Sequence, residues 1–121
     1  MEFKINNDIW KIVQKEHQTI LDELNSDRED KYYFAFGLIK YSIHEIWINK
    51  EMCIDQQIKT LKHELTHCYI FNNGLYNVPN FNEEMVCDLV SGINDFINEV
   101  VQIYKEEPKC ENGLKNQQQS T

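Results

Sequence analysis

Residues 55–74 read DQQIKTLKHELTHCYIFNNG, and the arrangement of the whole chain follows from this stretch. Ile58, Leu61, Leu65 and Cys68 recur at spacings of three and four, which predicts a helix with one buried face. Asp55 suits a helix start. Asn72-Asn73-Gly74 suits a stop, because Asn and Gly tolerate the left-handed conformation that ends helices. On the flank of the apolar stripe, alongside Ile70, stands His63-Glu64-Leu65-Thr66-His67, an H-E-x-x-H pattern. Two histidines four apart share a helix face, about one turn from each other. One zinc ion can then take both rings, with Glu64 beside it to accept a proton from water. The rival reading is an exposed helix carrying His63 and Glu64, with His67 partly buried and hydrogen-bonded. A third ligand, a helix to hold the pair and a neighbour to orient the rings separate the two.

Upstream, Met1 to Ile5 alternates and predicts a short strand. Asp8 to Leu24 reads as helix in its later part and as strand or helix in its earlier part. Asn25 to Lys31 is a polar break. Tyr32 to Tyr41 is aromatic and predicts a strand, with Gly37 marking a bulge or a close contact. Ser42 and Ile43 make a turn, and His44 to Asn49 follows as the second strand of a hairpin. Downstream, Leu75 to Asn80 is a loop. A second helix spans about Asn82 to Lys105 with the stripe Val86, Leu89, Val90, Ile93, Phe96, Ile97, Val100, Val101 and Tyr104. The expected fold is α+β with segregated layers: a small antiparallel sheet packed on the H-E-x-x-H helix and a long C-terminal helix. Residues 1–106 form one domain, and 107–121 read as a polar, disordered tail.

Composition narrows the function. The chain has 121 residues, 41% hydrophobic and 26% charged, as expected of one globular domain with a modest core. A net charge of -8 opposes a general grip on nucleic acid or an anionic membrane. Lys59 and Lys62 are too few to make a basic patch. No run approaches the ~20 apolar residues of a membrane span. Met1 to Asn7 carries Glu2 and Lys4 with no apolar run after it, which does not read as an export signal. Cys53, Cys68, Cys87 and Cys110 form no C-x-x-C pair. A cytoplasmic protein with free thiols is expected.

A catalytic zinc needs a third protein ligand and an open position. Glu83, Glu84 and Asp88 are candidates at the start of the second helix, and His17 and His44 are upstream alternatives. Glu84, Cys87, Asp88 and Ser91 share a face opposite Val86, Leu89, Val90 and Ile93. Cys87 is a poor residue for solvent, so that face is expected to dock on the metal helix. Glu84 then reaches the metal, and Asp88 accepts a hydrogen bond from a ligand imidazole. The bland alternative is that Glu83 and Glu84 only complement the helix dipole.

His63-Glu64-x-x-His67 followed by Glu84-x-x-x-Asp88 resembles the gluzincin metallopeptidases. The closest resemblance is to the small ImmA/IrrE-like metallopeptidases of phages and mobile elements. In these the third-ligand helix reads E-x-x-A-N, where this chain has Glu84-Met85-Val86-Cys87-Asp88. The similarity covers about residues 40 to 95. It implies a zinc site of His63, His67 and Glu84, with Glu64 as general base and acid. It also implies a protein or peptide substrate, in some members a helix-turn-helix repressor. In such an enzyme Glu64 takes the proton of the attacking water and passes it to the leaving amine. The strand His44 to Asn49 is the expected edge for an extended peptide. Tyr76, Tyr69 and His44 are candidate oxyanion donors, with Tyr76 preferred for its place between the site helices. Cys68 is expected to point into the core, away from the metal. Two other classes compete with the enzyme. One is a non-catalytic zinc-binding interaction module, and the other is a structural protein with a fortuitous pentad.

Overall fold

The computed structural model describes residues 1–74 and 83–108, and for 83–89 and 91 it describes the helical backbone alone. In chain order the elements are β1 (Glu2–Ile5), β2 (Asp8–Lys15), α1 (His17–Asn25), β3 (Gly37–Lys40), a 3-10 turn (Tyr41–Ile43), β4 (Glu45–Asn49), α2 (Ile54–Asn72) and α3 (Glu83–Glu106). The fold is a small α+β domain. The ambiguous segment after Asp8 resolves into both of its alternatives, strand through Lys15 and helix from His17. Asn6 and Asn7, both at positive φ, close the tight β1–β2 hairpin.

The sheet is mixed rather than antiparallel. Its order is β1-β2-β4-β3, with β2 and β4 parallel and the other two pairs antiparallel. The cause is α1. It carries the chain from β2 across one face to the far edge, where β3 runs antiparallel to β2's direction. The hairpin turn then returns β4 into the slot between them. The expectation that His44 to Asn49 is an edge strand is therefore incorrect: β4 is interior, and β3 is the edge. A sign of this lies in Ile46-Trp47-Ile48. Three successive apolar residues suit a strand covered on both faces, and all three are buried.

Each face has its own core. Trp10, Ile12, Ile46 and Ile48 meet Leu61, Leu65 and Cys68 of α2 and Val100, Val101 and Tyr104 of α3. Trp47 on the opposite face meets Ile20 and Leu21 of α1, with Leu38 and Val13 beside them. A polar network ties the first face together. The Tyr104 hydroxyl donates to Gln57 Oε1 at 2.6 Å, and Gln14 Nε2 donates to the same oxygen at 2.9 Å. Gln57 Nε2 in turn donates to the Met52 carbonyl at 2.9 Å. Each of these groups is satisfied, so the network fixes the register of β2, α2 and α3 with little desolvation penalty. At the other end of the α2·α3 contact, Tyr69 packs on Phe96, with ring centroids 5.8 Å apart, and its hydroxyl fills the space that a side chain on Gly92 would take. The two helices thus run antiparallel. Ile93, Val100, Val101 and Tyr104 of the α3 stripe are buried as expected, whereas Val90 is exposed.

Two local expectations change. Tyr32 to Phe36 is not strand. Its backbone is held by side chains instead: Asn25 Nδ2 donates to the Tyr32 carbonyl at 3.0 Å, and the Tyr32 N–H donates to Asn25 Oδ1 at 2.8 Å. The Ala35 N–H donates to His17 Nε2 at 3.1 Å, and Asn49 Nδ2 donates to the Ala35 carbonyl at 2.9 Å. Gly37 marks a close contact. A Cβ there would lie 2.6 Å from the Trp47 carbonyl oxygen and 2.8 Å from Thr60 Cγ2. Gly37→Val should therefore push β3 off α2 and cost about 1–3 kcal/mol. The check is the urea midpoint, with unchanged stability counting against this packing.

Candidate metal centre

Helix α2 is oriented by its buried stripe. Leu61, Leu65 and Cys68 have no exposure at all, and their positions set where every other side chain of the helix points. His63 and His67 emerge on the exposed flank. Their Nε2 atoms stand 3.2 Å apart. Two nitrogens held at ~2.0–2.1 Å by one tetrahedral ion are separated by about 3.3–3.4 Å, so the pair needs almost no adjustment to share a metal. Glu64 completes the group, with the three candidate ligand atoms all within 4.8 Å of one another. These residues could hold a metal ion. Among the described residues no other set of three His, Cys, Asp or Glu side chains does so.

Glu64 is the unusual member. It is only 9% exposed, and what remains of its exposure leaves the carboxylate oxygens open to the surface of the site. Burial pushes its carboxyl above the usual range, and His63 beside it pulls partly back. A largely desolvated carboxyl with a raised pKa at the mouth of a cleft is a common mark of a functional site. His67 shifts the other way. Burial, then the neighbouring His63, lowers its pKa and favours the neutral imidazole that a metal requires.

The remaining expected site residues fall into two groups. Glu83, Glu84 and Asp88 lie on the first turns of α3, but their side chains, with those of Cys87 and Ser91, are outside the described residues. Tyr76 and Cys110 are outside them too. Those the structure does describe have other work. His17 does not join the group: its Nε2 accepts the Ala35 N–H, and its ring packs on Phe34. His44 stacks flat on Trp10, centroids 4.6 Å apart and planes 3° from parallel, with its own backbone at φ 55°. Tyr69 is committed to α3. Cys68 points into the core as expected, where burial pushes its thiol up to about 12.

One residue escaped the sequence reading. Tyr41, in the 3-10 turn after β3, packs on Phe71 with centroids 4.6 Å apart. Burial raises its hydroxyl pKa, and the Glu64 carboxylate adds to the rise. A lone tyrosine between Lys40 and Ser42 carries no sequence signal; only the β3–β4 turn brings it over α2. The site also opens onto a cavity of about 410 Å³ that His63, Glu64 and Gly37 line.

Two measurements test this centre. The folded Glu64 carboxyl holds its proton more tightly than the unfolded chain does, so its ionisation opposes folding. Metal-free protein should lose stability as pH rises from ~4.3 through the raised folded pKa, and the loss persists at neutral pH. Metal-free Glu64→Gln should therefore melt above the native protein at pH 7, and the two should converge near pH 4. A difference that grows on acidification would contradict the assignment. Titration with Zn2+ should give one ion per chain in the native protein and in Glu64→Gln. In His63→Ala or His67→Ala the affinity should fall by more than about 100-fold. No protein family, curated protein or solved structure matches the chain, so its own residues carry the functional reading.

Proposed function

We propose that the protein is a zinc-dependent metallopeptidase of the gluzincin type, similar to the ImmA/IrrE-like enzymes, acting on a regulatory protein. One observation carries the proposal: two exposed ring nitrogens converge at 3.2 Å beside a largely buried carboxyl. A solvent-facing helix that binds nothing has no reason to turn a glutamate inward between two exposed histidines. His63 and His67 hold the metal in this reading, Glu84 is the third ligand, and Asp88 orients an imidazole. Bound zinc supplies a Lewis acid that polarises a carbonyl and makes water acidic.

The chain's own groups do the rest. Glu64 takes the proton of the attacking water and delivers it to the leaving amine nitrogen. The free edge of β3 supports an extended peptide. Asn49 N–H donates to the Phe36 carbonyl, so strand alternation turns the N–H and C=O of Gly37 and Ile39 outward. Tyr41 offers a hydroxyl on the same side as Glu64 for the developing oxyanion.

A non-catalytic interaction module is the second reading. The exposed aromatic segment Tyr32 to Phe36 favours it, since protein contacts use such side chains with or without cleavage. Cytoplasmic action also belongs to the proposal; among the described residues no helix is long and apolar enough to cross a membrane.

Zinc-loaded protein incubated with a proteome-derived peptide mixture should create new N-termini, read by mass spectrometry. Glu64→Gln should lower their rate of appearance by ~10²–10⁴-fold, and chelation should abolish it. Zinc-loaded protein that creates none favours the interaction module. Termini that persist unchanged in Glu64→Gln would remove Glu64 from the chemistry.

A further inference from the structure

The cavity beside the metal centre has a wall that the H-E-x-x-H motif does not explain. Tyr32, Phe34 and Phe36 line it together with Lys59, Gly37 and Glu64. These rings are exposed to an extent that needs a reason: Tyr32 by 47%, Phe34 by 52% and Phe36 by 50%. Single exposed aromatics are ordinary, but three on one short segment, facing one hollow, form a patch.

The patch is held in place. Asn25 bonds Tyr32 through both its carbonyl and its N–H, and His17 and Asn49 do the same for Ala35. Phe34 meets Phe36 edge-on at 4.9 Å, and Arg28 lies over Tyr32 at 4.4 Å. Exposed rings on a pinned backbone lose little entropy when something covers them.

Resting on the metallopeptidase reading, we propose that this cavity is its specificity pocket. It takes one aromatic or branched apolar side chain of an extended peptide lying along β3, and an acidic residue two positions along, on the same side of that strand, meets Lys59. Three observations choose this occupant. Gly37 both lines the cavity and turns its peptide groups to the free strand edge, so a strand paired there passes the pocket mouth. A volume of about 410 Å³ lies in the ~300–1,000 Å³ class of ligand pockets and accommodates a large side chain. Lys59 is the cation lining the cavity, and it makes no ion pair among the described residues. The chain's net charge of -8 repels an acidic partner at large. The acid is therefore one residue in an otherwise neutral or basic peptide.

The test uses zinc-loaded full-length Glu64→Gln, which holds a substrate without turning it over. The probes are dye-labelled, end-capped decapeptides of Thr, Ser and Val with Phe, Leu or Ala at one central position and Asp or Lys two positions along from it. Anisotropy should show Phe and Leu binding roughly tenfold or more tightly than Ala. Adding Phe34→Ala or Phe36→Ala should erase that preference with an unchanged melting temperature. Adding Lys59→Glu should reverse the choice of Asp over Lys. Equal affinity for the Phe and Ala peptides overturns the proposal. So does sedimentation showing that the aromatic wall is consumed by self-association. Binding is read without cleavage, so a native protein that cleaves nothing leaves this result standing. Likewise, an active peptidase indifferent to these side chains refutes the pocket alone.

Discussion

The packing of α2 on the sheet governs the molecule. Leu61, Leu65 and Cys68, completely buried, seat one face of the helix on Ile46 and Ile48. A helix has one rotation at which that face is covered. At that rotation Glu64 sits on the margin of the buried stripe, while His63 and His67 stand outward on its flank. The close histidine pair and the desolvated carboxylate are therefore consequences of apolar burial. The chemistry is positioned by hydrophobic contact and by the i, i+4 geometry of the helix.

The sheet supports this arrangement through an interior strand. β4 is apolar on both faces and is covered by α1 on one side and by α2 and α3 on the other. That leaves β3 at the edge, where Gly37 lets it approach Thr60 without a side chain between them. The same approach brings Tyr41 to the Glu64 side of α2 and sets the aromatic segment before β3 against the cavity. The gluzincin-like reading thus draws on two independent features, the motif and the edge beside it.

Much of this was legible in the residues. The periodicity of Ile58, Leu61, Leu65 and Cys68, with Asn-Asn-Gly behind it, located α2 to within a residue at its start. The pentad itself marked the metal group. The order of strands in the sheet was not legible, because insertion of β4 between β2 and β3 is a non-local event that hairpin patterns do not encode. Tyr32 to Phe36 looked like strand because β-favouring rings are there; their backbone groups were claimed instead by Asn25, His17 and Asn49. His17 and His44 looked like spare ligands because the hydrogen bond that occupies one ring and the Trp10 stacking that occupies the other are invisible in sequence. Glu84 and Asp88 enter the proposed site through their sequence spacing on the first turns of α3.

Anomalous diffraction at the zinc edge, from crystals of the native protein grown with Zn2+, tests the central claim most directly. A single strong peak is predicted within ~2.0–2.1 Å of both His63 Nε2 and His67 Nε2, with a further protein ligand completing the set. A chain that binds zinc elsewhere, or that shows no peak between these two nitrogens at neutral pH, contradicts the account.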